Sequence, residues 1–124
     1  MPEWDWRVMA EGYLLTVVVE TAVLWVGLSR RHRPWERLVA GAWLTACTYP
    51  VVWVVLPPLF ADRWAYLAAA EGFAAAVEAG LFWAAFIRPR PFGCWTIARD
   101  VAAVVGANGA SFAAGQLLSA AGLW

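Results

Sequence analysis

Four apolar stretches, each about twenty residues or longer, run almost end to end through this chain, and the breaks between them are short and charged. A helix needs about 20 apolar residues to cross roughly 30 Å of hydrocarbon. The stretches cover about 8–28, 38–60, 64–87 and 97–123. Arg30, Arg31, His32, Arg33 and Pro34 divide the first two; Pro57, Pro58, Asp62 and Arg63 divide the middle pair; Arg88, Pro89, Arg90, Pro91 and Gly93 divide the last two. Hydrophobic residues make up 63% of the chain, against roughly 45–50% in an ordinary soluble domain. They come in blocks rather than in the alternation of an element with one wet face. The expectation is a single membrane domain over residues 1–124, all-α, with four transmembrane helices. Short connections make sequential helices antiparallel neighbours, so the architecture expected is an up-and-down antiparallel bundle.

Charge sets the expected orientation, because Arg and Lys are retained on the cytoplasmic side. Arg30, Arg31, Arg33, Arg37, Arg88, Arg90 and Arg99 fall on one side, and only Arg7 and Arg63 on the other. Both termini should therefore face out. Trp4, Trp6, Phe60, Trp64 and Trp124 would mark the outer interface, and Trp25, Trp35, Phe86 and Trp95 the inner one. His32 reads as a solvated residue of the basic turn, and Asp100, in the first turn of the last helix, as a complement to the helix dipole. The residues before the first stretch lack the positive n-region of a signal peptide, so that stretch is expected to be a span. Nine Arg balanced by nine acids leave no basic patch for nucleic acid. Cys47 and Cys94 make neither a disulfide framework nor a zinc site. No cofactor motif, metal-ligand set or internal repeat is apparent.

The chemistry lies in the polar residues inside the spans. An acid at a helix centre costs about 2.5–3.5 kcal/mol on insertion scales, so Glu20, Glu71 and Glu78 must turn from lipid and find partners. With a rise of about 1.5 Å per residue, Glu20 lies about 18 Å and Glu78 about 21 Å from the outer start of their helices. Thr45, Thr48 and Asn108 fall near the same layer. Each helix offers one polar stripe at spacings of three, four and seven: Tyr13, Thr16, Glu20 and Gly27 in the first, Thr45, Thr48 and Tyr49 in the second, Glu71 and Glu78 in the third, Asn108, Ser111 and Gly115 in the fourth. The binding residues expected of such a bundle are Glu20, Glu71, Glu78, Thr45, Thr48, Asn108 and Ser111, with Glu71 towards the outer surface. Pro50 should kink the second helix and free the Ala46 carbonyl near Thr45 and Thr48. Gly72, Ala76 and Gly80, and Ala103, Ala107, Ser111, Gly115 and Ser119, form small-residue stripes expected to be packing seams.

Glu20-Thr21, Thr48-Tyr49-Pro50, Glu71 with Glu78, and Asn108 with Ser111 and Gly115 resemble the polar pattern of a group of small four-helix integral membrane proteins of bacteria. That resemblance implies the four-helix fold and a bacterial inner-membrane location, and carries no activity with it. The architecture is also similar to that of small multidrug resistance transporters, which have four helices, a similar length and one membrane-buried Glu in the first helix, where Glu20 stands here. This chain departs from them in having three deep acids and in lacking their aromatic-glycine pattern in the third span.

Three classes of function are compatible with the residues. A small cation- or proton-coupled transporter would use Glu20 and Glu78 as exchanging acids, because intramembrane acids mark ion and proton paths; a thin four-helix wall would favour a homodimer. An accessory or structural subunit of a larger membrane complex would use the same acids to hold the bundle or a partner chain. An intramembrane enzyme would need two carboxylates with split proton affinities, and no nucleophile–base pair supports one. The partners expected are the lipid bilayer and a second copy of the chain or a larger membrane complex, with no nucleic acid.

Overall fold

The computed structural model describes residues 5–90 and 93–123. Trp4, Trp124 and Pro91, assigned above to the interfaces and to a break, lie outside the described residues. The fold is all-helical: α1 (Trp6–Gly27), α2 (Pro34–Pro50), α3 (Arg63–Phe82) and α4 (Cys94–Ala120), with short π-helical continuations Val51–Val55 and Trp83–Ile87 and a 3-10 turn Pro57–Leu59. The segments Trp6–Gly27, Pro34–Val55, Arg63–Ile87 and Cys94–Ala120 are each long and apolar enough to cross a membrane.

Local chemistry explains the helix starts. The Asp5 carboxylate accepts from the backbone N–H groups of Arg7 (3.0 Å) and Val8 (3.4 Å), and Asp62 accepts from that of Ala65 (2.7 Å), which satisfies donors that have no intrahelical partner. Pro34 opens α2, where its missing N–H costs nothing, and the Glu36 carboxylate reaches back to the Arg33 N–H at 2.6 Å. At Pro50 the regular α pattern stops and a wider turn follows, with the Leu56 N–H bonding to the Val51 carbonyl at 2.9 Å. In that turn the next carbonyl, Val52, would look to Pro57, which has no N–H. The Tyr66 hydroxyl donates to it instead, at 3.0 Å. The departure from regular helix at Pro50 takes the form of a change of pitch, the α pattern ending there and widening over Val51–Val55.

Contacts between the helices close a ring: α1 packs on α2 and α4, and α3 packs on the same two. Met9 meets Tyr49, Thr21 meets Gly41 and Trp25 meets Arg37, so α1 and α2 run antiparallel. Two glycines permit this approach. A Cβ on Gly41 would lie 2.0 Å from Thr21 Oγ1 and 3.0 Å from Thr21 Cα; one on Gly27 would lie 3.0 Å from Ala103 Cβ. In lipid, where apolar burial no longer drives association, close packing of this kind holds helices together.

The core sits towards the Arg-rich end and comprises Leu24, Leu28, Ala40, Leu44, Phe82, Phe86, Ile87, Ala103, Val104 and Ala107. Phe86 belongs to it rather than to an interface: its ring packs at a tilt against Phe82 with centroids 5.1 Å apart. Trp6, Trp25, Trp35, Trp64 and Trp95 are exposed. One expected seam is corrected. The Gly72–Ala76–Gly80 stripe faces outward, and a Cβ on Gly72 or Gly80 would meet nothing within 4 Å. The inward face of α3 is Ala70, Ala74, Glu78 and Phe82, because burying Glu78 between α2 and α4 rotates that stripe away. The α4 stripe does pack at Ala103 and Ala107, while Ser111, Gly115 and Ser119 line a cavity.

The basic end differs from the sequence reading in a second way. His32 is 2% exposed and Asp100 0%. Asp100 accepts from the Ser29 N–H (2.7 Å) and the Ser29 hydroxyl (3.2 Å), and its other contact is His32 Nε2 at 2.8 Å. Because α4 begins at Cys94, Asp100 lies in its second turn, aimed at the α1–α2 connection. Buried polar groups need such partners, and this cluster ties that connection to α4. Arg37 donates to the Trp25, Ser29 (3.0 Å) and His32 (3.3 Å) carbonyls, and Arg99 to the Gly27 carbonyl at 3.0 Å. The last carbonyls of α1 are thus satisfied by cations from two other helices.

Candidate polar site in the membrane layer

Glu20 projects from α1 and Glu78 from α3, and each is gripped between α2 and α4. Thr45 and Ser111 donate to Glu20 at 2.7 and 2.8 Å. Thr48 and Asn108 donate to Glu78 at 2.5 and 2.8 Å. Thr45 and Thr48 are one helical turn apart on α2, as Asn108 and Ser111 are on α4, so the two acids share a single layer. Both are 2% exposed. This answers the cost of an acid in hydrocarbon by giving each carboxyl two donors.

The hydroxyls have a further property. Thr45 Oγ1 is 2.8 Å from the Gly41 carbonyl, Thr48 Oγ1 is 3.3 Å from that of Leu44, and Ser111 Oγ is 3.0 Å from that of Asn108. Each therefore has a carboxyl oxygen and a backbone carbonyl within reach. A hydroxyl both donates and accepts. When the acid is ionised the hydroxyl donates to it; when the acid carries a proton, it donates to the hydroxyl, which turns its own hydrogen to the backbone carbonyl. Neither state leaves a buried group unsatisfied.

Glu20, Glu71, Glu78, Thr45, Thr48, Asn108 and Ser111 all line one cavity of about 570 Å³. It runs from Pro57, Arg63 and Ser119 at one end of the bundle to Glu20 and Glu78 at its floor. Tyr49, Trp53, Tyr66 and Phe112 supply aromatic wall. Beneath the floor, Leu24, Leu44, Phe82, Val104 and Ala107 pack into the apolar core. Glu71 stands two turns above Glu78 on α3, half-buried and with no hydrogen bond among the described residues. Tyr13 does not line the cavity: its hydroxyl donates to the Ala42 carbonyl at 3.1 Å. Among the described residues no group of three or more His, Cys, Asp or Glu is arranged to hold a metal ion, and both cysteines are free and exposed.

Sequence reasoning missed the Ser29–His32–Asp100 cluster and, Tyr49 apart, the aromatic wall. A signal for the first was present: Asp100 lies on the same helical face as Ala103, Ala107, Asn108 and Ser111. No signal short of the turn at Pro50 places Trp53 on the cavity. No family model, curated protein or solved structure matches this chain.

Proposed function

We propose that this chain is a small bacterial inner-membrane carrier that exchanges protons or cations at Glu20 and Glu78, with both termini outside and the cavity open to the outer side. The observation supporting it is the two-way hydrogen bonding of Thr45, Thr48 and Ser111, which lets the acids gain or lose a positive charge with no buried partner left unsatisfied. A purely structural acid needs only one such arrangement. Access is one-sided, as a carrier in one of its alternating states requires: a cavity above the acids, a sealed apolar layer below them. The test is flux into proteoliposomes loaded with a pH-sensitive dye. Cation gradients should move protons through wild-type protein, and Glu20→Gln with Glu78→Gln should abolish that movement while the thermal melt stays cooperative. If no cation gradient moves protons through folded wild-type protein, the carrier reading fails.

A second reading rests on the outward small-residue face of α3. Gly72 and Gly80 leave open space where another transmembrane helix could approach, as in a homodimer or as a subunit of a larger membrane complex. Native mass spectrometry of gently purified protein separates these: unrelated chains at fixed stoichiometry would make it a subunit, and a homodimer would fit the carrier.

A further inference from the structure

We infer that the cavity is built for a linear aliphatic diammonium ion rather than a single-charged cation. This rests on the reading of the cavity as a cation site and adds the class of ligand.

The first argument is charge. The described charged residues lining the cavity are Glu20, Glu71, Glu78 and Arg63. The acids outnumber the cation by two, and each carboxyl that gives up its proton becomes a partner for one ammonium group. A diammonium ion can engage two of them, a monocation only one.

The second argument is the spacing. Glu20 and Glu78 form the floor, and Glu71 stands seven residues from Glu78 along the same face of α3. That places two levels of carboxylate about 10 Å apart along the bundle axis; with contacts of about 2.8 Å, nitrogens on a chain of about three methylenes bridge it when both contacts lie along the axis, and on a chain of about six when both lie across it. A bare metal ion would engage one level only, and no metal-holding cluster exists among the described residues.

The third argument is the wall between the levels. Tyr49 and Trp53 stack there with ring centroids 5.6 Å apart. Tyr49 spends its hydroxyl on the Met9 carbonyl, so what it offers the cavity is apolar ring. Aromatic faces suit both methylenes and the ammonium groups at their ends. The volume of about 570 Å³ is that of a small-molecule pocket, for which roughly 300–1,000 Å³ is usual, and far exceeds what one inorganic cation fills.

The experiment is calorimetric titration of the detergent-solubilised full chain with 1,5-diaminopentane, n-pentylamine and sodium chloride. The diamine should bind about tenfold more tightly than the monoamine, since a second ion pair forms in a partly enclosed site. Glu71→Gln, which removes a charge without removing a hydrogen bond, should bring the diamine down to the level of the monoamine. Equal binding of the two amines, unmoved by Glu71→Gln, overturns the diammonium assignment and leaves the cation site standing. No binding of any of the three to folded protein overturns both.

Discussion

Glu78 stands in α3 where Glu20 stands in α1. The buried residues around them have the same spacing: Gly12, Glu20, Leu24 and Leu28 in the first half match Ala70, Glu78, Phe82 and Phe86 in the second. On the partner helices, Ala40, Gly41, Leu44 and Thr45 match Ala103, Val104, Ala107 and Asn108, and Thr48 matches Ser111. Each acid takes one donor from its own hairpin and one from the other. The two halves therefore place their buried residues at matching positions, although the sequence shows no repeat. Glu71 breaks the relation, since its counterpart is Tyr13, and with it the cavity becomes lopsided towards α3.

Removing donors to one acid should reveal their coupling. Thr45→Val should lower stability by about 1 kcal/mol, and Ser111→Ala by a similar amount. The double variant should lose more than the sum, because only then is a buried carboxyl left without a donor. Thermal unfolding in one detergent measures all three; strict additivity would show that Glu20 finds other partners.

The α1–α2 contact should tolerate nothing larger than glycine at one point. Gly41→Ala puts a methyl group against Thr21 side chain and backbone and should cost about 2 kcal/mol or more, as overpacking does. Gly72→Ala and Gly80→Ala, facing open space, should stay within about 0.5 kcal/mol of wild type. A harmless Gly41→Ala in the same melts would mean that α1 and α2 lie farther apart.

At the basic end, Asp100→Ala removes the acceptor for the Ser29 N–H, the Ser29 hydroxyl and His32 together. Loss of one member of a buried network costs about 3–5 kcal/mol, so this variant should unfold far below wild type. Asp100→Asn keeps an acceptor oxygen and should lose less. Similar melting of both variants to wild type would place Asp100 in solvent.

Orientation has a direct check in the native cysteines. Cys94 opens α4 at the Arg-rich end, and Cys47 lies on the exposed face of α2 within the span. With the basic side cytoplasmic, a membrane-impermeant maleimide should leave intact cells unlabelled and modify Cys94 once the cytoplasmic face is opened. Labelling of Cys94 in intact cells would reverse the assigned orientation.

Much of this was legible in the residues because bilayer physics acts locally. A run of about twenty apolar residues is a span whatever surrounds it, and an acid inside that run must face inward whatever its partner. Hence the four helices and the inward stripes carrying Glu20, Thr45, Thr48, Glu78, Asn108 and Ser111 could be read from spacing alone. The tertiary structure decided the pairing: that Thr45 and Ser111 serve Glu20 while Thr48 and Asn108 serve Glu78, that Gly72 and Gly80 face out, and that His32 and Asp100 meet in the interior. Such matters depend on the rotation and register of one helix against another. Those are set by contacts remote in sequence, such as Gly41 against Thr21 and Gly27 against Ala103, which no local pattern contains.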